Sequence, residues 1–145
     1  MSAERLIAGL LRVAREDLEG ARILSESGNR NAVYLASQSA EKILRATLTA
    51  EGKHAGIKHQ LDEMIDLLPD ENPWKASFHG VEHLSAYATS FRYPSPVGRI
   101  KVPPPPEDLQ EIFVRIEALL LLALSHFGVA LEEGDVPAKS ASPPR

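Results

Sequence analysis

Residues 4–52 read ERLIAGLLRVAREDLEGARILSESGNRNAVYLASQSAEKILRATLTAEG, two apolar-periodic runs separated by a short polar break. In the first run Leu6, Leu10 or Leu11, Ala14, Leu18, Ala21 and Leu24 recur three or four apart, and the residues between them are largely Arg, Glu and Asp. Such spacing buries one stripe of an amphipathic helix and leaves the rest in water. The second run, about 31 to 51, repeats the pattern with Ala32, Leu35 or Ala36, Ala40, Ile43 or Leu44, and Leu48. Between them Ser27-Gly28-Asn29 offers residues that tolerate the left-handed backbone of a helix end. The connection, Ser27 to Arg30, is short enough to favour an antiparallel helical hairpin.

Working outward, a polar loop leads to a short helix from His59 to Leu68, with Leu61, Met64, Ile65 and Leu68 inward, ended by Pro69. Pro73 can open a further helix at its first turn, running to about Phe91. A loop follows, stiffened toward polyproline II by the four prolines 103 to 106. The last helix, about Pro106 to Phe127, carries Leu109, Ile112 or Phe113, Ile116, Leu119 or Leu120, Ala123 and Phe127. No strand pattern or repeat occurs. The fold expected is all-α, an up-and-down bundle of four long helices and one short one over residues 1–128. Residues 129–145 are Pro/Ser-rich without periodicity and are expected to be a disordered tail. Residues 119–124 are apolar all round the helix, so either neighbours within the chain cover both sides or a second copy does. A homodimer is the preferred expectation.

Composition narrows the function. With 145 residues the chain can bury one core. It has no cysteine, which excludes disulfides, thiolate metal sites and cysteine nucleophiles. The net charge of −4 argues against a general nucleic-acid coat. The longest apolar run, ALLLLAL at 118–124, is far short of a membrane span, so a cytoplasmic protein without membrane contact is expected.

Three groups of residues could carry chemistry. His79-x-x-Glu82-His83 has the spacing of an inverted zinc-peptidase motif, but a catalytic zinc needs a third protein ligand and the remaining carboxylates offer no patterned candidate. No metal and no other cofactor is expected. Gln38, Glu41, Lys42 and Arg45 form a polar stripe at helical spacing, and a solvated salt-bridge face accounts for it. Arg92-Tyr93-Pro94 follows, where Pro94 disfavours helix at Tyr93. Arg92 there either complements a helix end or meets an anion with its planar fork. Residues 28–58 hold five Lys/Arg against two acids, and residues 76–101 hold three against one. A local basic pocket on an acidic protein is therefore expected if the helices carrying them are neighbours.

SQSAEKILRATL (37–48), KHQLDEMIDLLP (58–69) and SFRYP (90–94) resemble, in order and spacing, three blocks of the HEPN family, the "higher eukaryotes and prokaryotes nucleotide-binding" domains. The matching positions are Gln38, Glu41, Lys42, Arg45 and Ala46, then His59 and Leu61, then Arg92-Tyr93-Pro94. The resemblance covers about residues 5–128 and implies a helical bundle, commonly dimeric. Some members are ribonucleases or toxins, often encoded beside a small nucleotidyltransferase, and others bind nucleotides. Ribonuclease members carry Arg, four to six residues, then His, and no Arg in this chain has a His at that spacing. The expectation is thus a non-catalytic, dimeric prokaryotic module for a nucleotide or other phosphate-bearing ligand, with Lys42, Arg45, His59, Arg92 and Tyr93 as candidate contacts and no catalytic residue. One alternative is a partner of a nucleotidyltransferase, in a toxin–antitoxin-like pair, docking through its last helix. Another is a ribonuclease acting on RNA through Arg92 with His59, His79 or His83.

Overall fold

Ser2 starts the first helix, its Oγ accepting a hydrogen bond from the Arg5 amide at 3.2 Å, one of the donors a helix N-terminus leaves unpaired. Helix α1 then runs Ala3–Glu26. In the computed structural model, which describes residues 2–57 and 60–145, it is followed by α2 (Asn31–Ala50), α3 (Leu61–Ile65), α4 (Lys75–His79) and α5 (Pro106–Phe127). There is no strand among the described residues, and no helix is long and apolar enough to cross a membrane.

The first break folds as its residues dictate. Gly28 takes φ 72°, its amide and that of Asn29 satisfy the carbonyls of Ser25 and Leu24, and Asn29 Oδ1 accepts from the Asn31 amide. α1 and α2 pack closely because their facing positions are small. Ala14, Ala21, Ala32, Ala36 and Ala40 are buried there, and buried Ser39 donates its Oγ–H to the Ala14 carbonyl at 2.7 Å. The buried stripe of α1 is Ile7, Leu11, Ala14, Leu18 and Ala21. Leu6, expected inside, is 43% exposed and faces a surface groove instead. α2 contacts α1, α3 and α5, and α5 also packs on α1. Between α1 and α5, Arg22 bonds Glu117 at 3.0 Å, which holds the Glu117 carboxyl below the ordinary carboxylate range. α5 begins at Pro106 and stops at Gly128, left-handed at φ 62°.

Two expectations do not hold. The single helix expected from 73 to 91 is broken into α4 and two 3-10 turns, Glu82–Tyr87 and Ser90–Arg92, so among the described residues three helices rather than four are long. The buried residues of this stretch are Trp74, Phe78, Val81, Leu84, Ala88 and Phe91. Their spacing of three or four is that of one helical face, so the pattern of burial does not by itself separate an α-helix from a run of 3-10 turns. At the break, Gly80 lies so close to the Arg115 guanidinium and the Ser77 carbonyl that a Cβ there would meet them at 3.0 and 3.1 Å.

The other is the tail. Residues 129–145 were expected to be disordered, yet they lie back across the bundle. Arg12 donates to the carbonyls of Val136 (2.7 Å) and Ala130 (2.8 Å), and the Ala138 amide donates to the Glu4 carbonyl at 2.9 Å. Arg145 reaches Glu51, 94 residues away in sequence. Backbone hydrogen bonds and distant charged partners hold this segment, and composition carries no trace of either.

Candidate functional site

Tyr34 lies one turn into α2, and Arg92 ends the second 3-10 turn. The Arg92 guanidinium sits over the Tyr34 ring at 4.7 Å and donates to the Tyr34 hydroxyl at 3.3 Å. Tyr93 turns extended, as Pro94 requires, and its ring is 65% exposed beside Arg92. Beneath them Arg30 stacks on buried Phe91 at 4.1 Å and donates to the carbonyls of Phe91 (3.1 Å) and Lys101 (2.7 Å). Arg30 thereby ties α2 to both the 3-10 turn and the loop beyond. Lys101 Nζ donates to Ser90 Oγ at 2.6 Å, closing the same knot. A tight turn at 95–99, pinned by Ser95 and by Gly98 at φ 82°, presents exposed Arg99.

The electrostatics of this surface follow from what it lacks. No Asp or Glu occurs between residues 83 and 106. None of Arg30, Arg92, Arg99 and Lys101 is in an ion pair among the described residues. Their positive charge is uncompensated, and an anion would be the group to compensate it.

The remaining candidates lie elsewhere. Lys42 Nζ is 2.6 Å from Asp17 of α1, both half-buried. Arg45 pairs with buried Glu41 at 3.2 Å and donates to the Gly56 carbonyl. It lines a cleft of about 290 Å³ with Leu10, Leu48, Lys53 and His54. Arg45 is eleven residues beyond Tyr34 on α2, about 16 Å along the axis at 1.5 Å per residue. The five residues expected to share a site are therefore not all brought together: Arg92 and Tyr93 are neighbours, and Lys42 and Arg45 belong to the other end of α2. His59 lies outside the described residues. His79 and His83 do not share an α-helical face, because α4 ends at His79 and the chain resumes as a 3-10 turn. His79 Nδ1 is 3.0 Å from Glu82, while His83 lines a cleft of about 470 Å³ with Tyr87, Pro104, Asp108, Glu111 and Arg115, and neither Arg92 nor His79 lines it. Among the described residues no three His, Asp or Glu side chains converge as a metal site would need.

Arg30, Tyr34, Arg99 and Lys101 escaped the motif reading. The one signal in the sequence for Arg99 and Lys101 is the acid-free run itself, and Arg30 and Tyr34 lie outside it.

An all-α chain with long helices around α2 and a cationic, aromatic surface at one end is the class these features define. A family model, the HEPN domain, matches residues 7–125 of this chain. The chain belongs to the HEPN family, whose domains are nucleotide-binding and ribonuclease-like modules that often dimerise. No curated protein and no solved structure matches the chain.

Proposed function

We propose that this HEPN domain is a non-catalytic, dimeric binding module for a nucleotide or another phosphate-bearing ligand. The observation that carries the reading is that Arg92, Arg30 and Lys101 meet around the second 3-10 turn without an acidic partner, beside Tyr34 and Tyr93. Arg92 offers a planar fork matched to phosphate oxygens, held in place by its stack on Tyr34. Tyr93 leaves an open aromatic face on which a base can stack. Lys42 and Arg45 already have carboxylate partners at 2.6 and 3.2 Å, so an anion gains less from them. The reading is non-catalytic because no Arg stands four to six residues before a His.

Thermal unfolding with ATP, GTP and a short single-stranded RNA tests it. A ligand at about a hundred times its dissociation constant adds about 2.7 kcal/mol, a rise of roughly 5–11 °C for a domain of this size. If the midpoint stays put with all three ligands, the surface is not a phosphate site.

Dimerisation has its own support on α5. Val114, Ala118, Leu121 and Leu122 form an outward stripe, with Leu121 60% and Leu122 47% exposed. Leu119, Leu120, Ala123 and Leu124 on the opposite side are buried within the chain. A self-complementary stripe of this kind suits a two-fold interface. Leu121→Glu is expected to convert the dimer to a monomer in light scattering. A wild-type chain that is already monomeric would assign the stripe instead to a different protein, the nucleotidyltransferase of a two-protein system.

A further inference from the structure

The segment folded back over the bundle ends in a pocket that other elements have built. Glu51, the residue that closes α2, has a side chain only 3% exposed. Its carboxylate accepts from Asn72 Nδ2 at 2.8 Å, and buried Asn72 is fixed in turn because its Oδ1 accepts from the Trp74 amide at 2.8 Å. The acid is thus oriented by a buried amide that is no part of the tail. Into this pocket Arg145 places its guanidinium, with Nη1 and Nη2 each 2.8 Å from one carboxylate oxygen. That two-pronged geometry is what a carboxylate selects in arginine.

Upstream of the anchor, recognition passes through the main chain. The amides of Lys139 and Ser140 both donate to the Phe127 carbonyl, at 2.9 and 3.2 Å, and His126 Nε2 donates to the Ser142 carbonyl at 2.8 Å. His126 is held for this task by edge-on contacts with Trp74 (5.3 Å) and Phe127 (4.8 Å). The side chains of the segment that are buried or half-buried here are small ones, Ala138, Ser140, Ala141, Pro143 and Pro144. Main-chain bonds, small apolar pockets and one charged anchor are the elements by which grooves bind extended peptides.

We propose that Glu51, Asn72, Trp74, His126 and Phe127 form a peptide-binding groove for an extended, arginine-bearing segment, and that residues 138–145 are its resident, displaceable ligand. Displacement follows from where the polar contacts lie, since the hydrogen bonds of His126 to Ser142 and of Arg145 to Glu51 are all at the surface. Mostly exposed hydrogen bonds place a segment at the low end of local opening free energies. Two left-handed glycines, Gly128 (φ 62°) and Gly134 (φ 58°), lie on the chain leading to it. A Cβ on Gly128 would meet the Lys139 side chain at 2.9 Å, so that position senses whether the segment is docked.

A tethered ligand competes as though present at about millimolar concentration. The groove of the wild-type chain should therefore be nearly closed to a free copy of the same segment. The test is fluorescence anisotropy with a labelled peptide, VPAKSASPPR (residues 136–145), titrated into the full chain. Arg145→Ala weakens the tethered competitor, so the peptide is expected to bind this variant about tenfold more tightly than wild type. That gain should vanish when the peptide's own Arg is replaced by Ala, and when Glu51→Gln is added to the protein. Equal affinity of wild type and Arg145→Ala, or indifference to the peptide's Arg, overturns the proposal. Hydrogen exchange on the unaltered chain is a second measure independent of variants. The amides of Lys139 and Ser140 should exchange through local opening, at least about a hundredfold faster than that of Ile43 in α2. Exchange of all three at one common rate would make the segment part of the core and end the idea.

Discussion

Phe91→Ala is expected to destabilise the chain by about 3–5 kcal/mol, lowering the thermal midpoint by about 6–20 °C. The ring is fully buried, meets Tyr87 edge-on at 5.0 Å and carries the Arg30 guanidinium at 4.1 Å. It sits in a 3-10 turn, where hydrogen-bond geometry is poorer than in an α-helix and runs are short. Backbone bonding alone therefore does little to hold residues 90–92, and burial of Phe91 supplies what is missing. The substitution also removes the platform under Arg30, whose two carbonyl contacts tie α2 to the loop at 101. Ligand binding should accordingly weaken in this variant even below its melting temperature, whereas Phe91→Leu should retain most of both. Urea unfolding decides the matter. A loss under about 1 kcal/mol would mean that the 3-10 segment is held by something other than this ring.

The same segment marks where sequence reading stops. Helices α1, α2 and α5 were legible because each buries a stripe whose 3.6-residue period is written in its own residues. Even there, the choice between Leu6 and Ile7 as the innermost residue was not. It depends on how α1 is rotated against α2, where Ala14 meets Ser39 across 25 positions of sequence. Between 73 and 92 the apolar spacing of three or four reads as one helix, and the constraint at Gly80 comes from Arg115 of a different helix. The tail illustrates the limit most clearly. A Pro/Ser-rich composition cannot reveal that Arg12 and Glu51 will supply partners. For the site, Arg92 and Tyr93 stood out by motif, while Tyr34 became relevant only when the fold placed its ring under Arg92. Lys42 shows the converse, a motif residue to which the fold brings a partner the sequence does not announce, Asp17 of α1.

That contrast yields the sharpest functional prediction. Arg92→Ala should weaken binding of ATP or short RNA by about 10–100-fold, the range expected when a charge-assisted hydrogen bond of about 1.5–3 kcal/mol is lost. Lys42→Ala should leave affinity within about twofold, because its ammonium is already held by Asp17 at 2.6 Å and an anion would have to displace that carboxylate. Its cost should appear in stability instead, since Asp17 is half-buried and is left without its cation. Arg92→Lys separates charge from geometry. It keeps the positive charge but gives up the flat fork that lies over Tyr34, so it should recover only part of the loss. Isothermal titration of the three variants at two salt concentrations resolves these outcomes, with the Arg92→Ala complex showing the shallower salt dependence. The reverse pattern, with Lys42→Ala abolishing binding and Arg92→Ala neutral, would move the site about 12 Å along α2 to the groove that Lys42 lines with Leu6, Gly9, Leu10 and Val13. The acid-free surface at Arg92 would then be a structural knot in which Arg30 and Lys101 fasten a loop, and its positive charge would have no ligand to answer it.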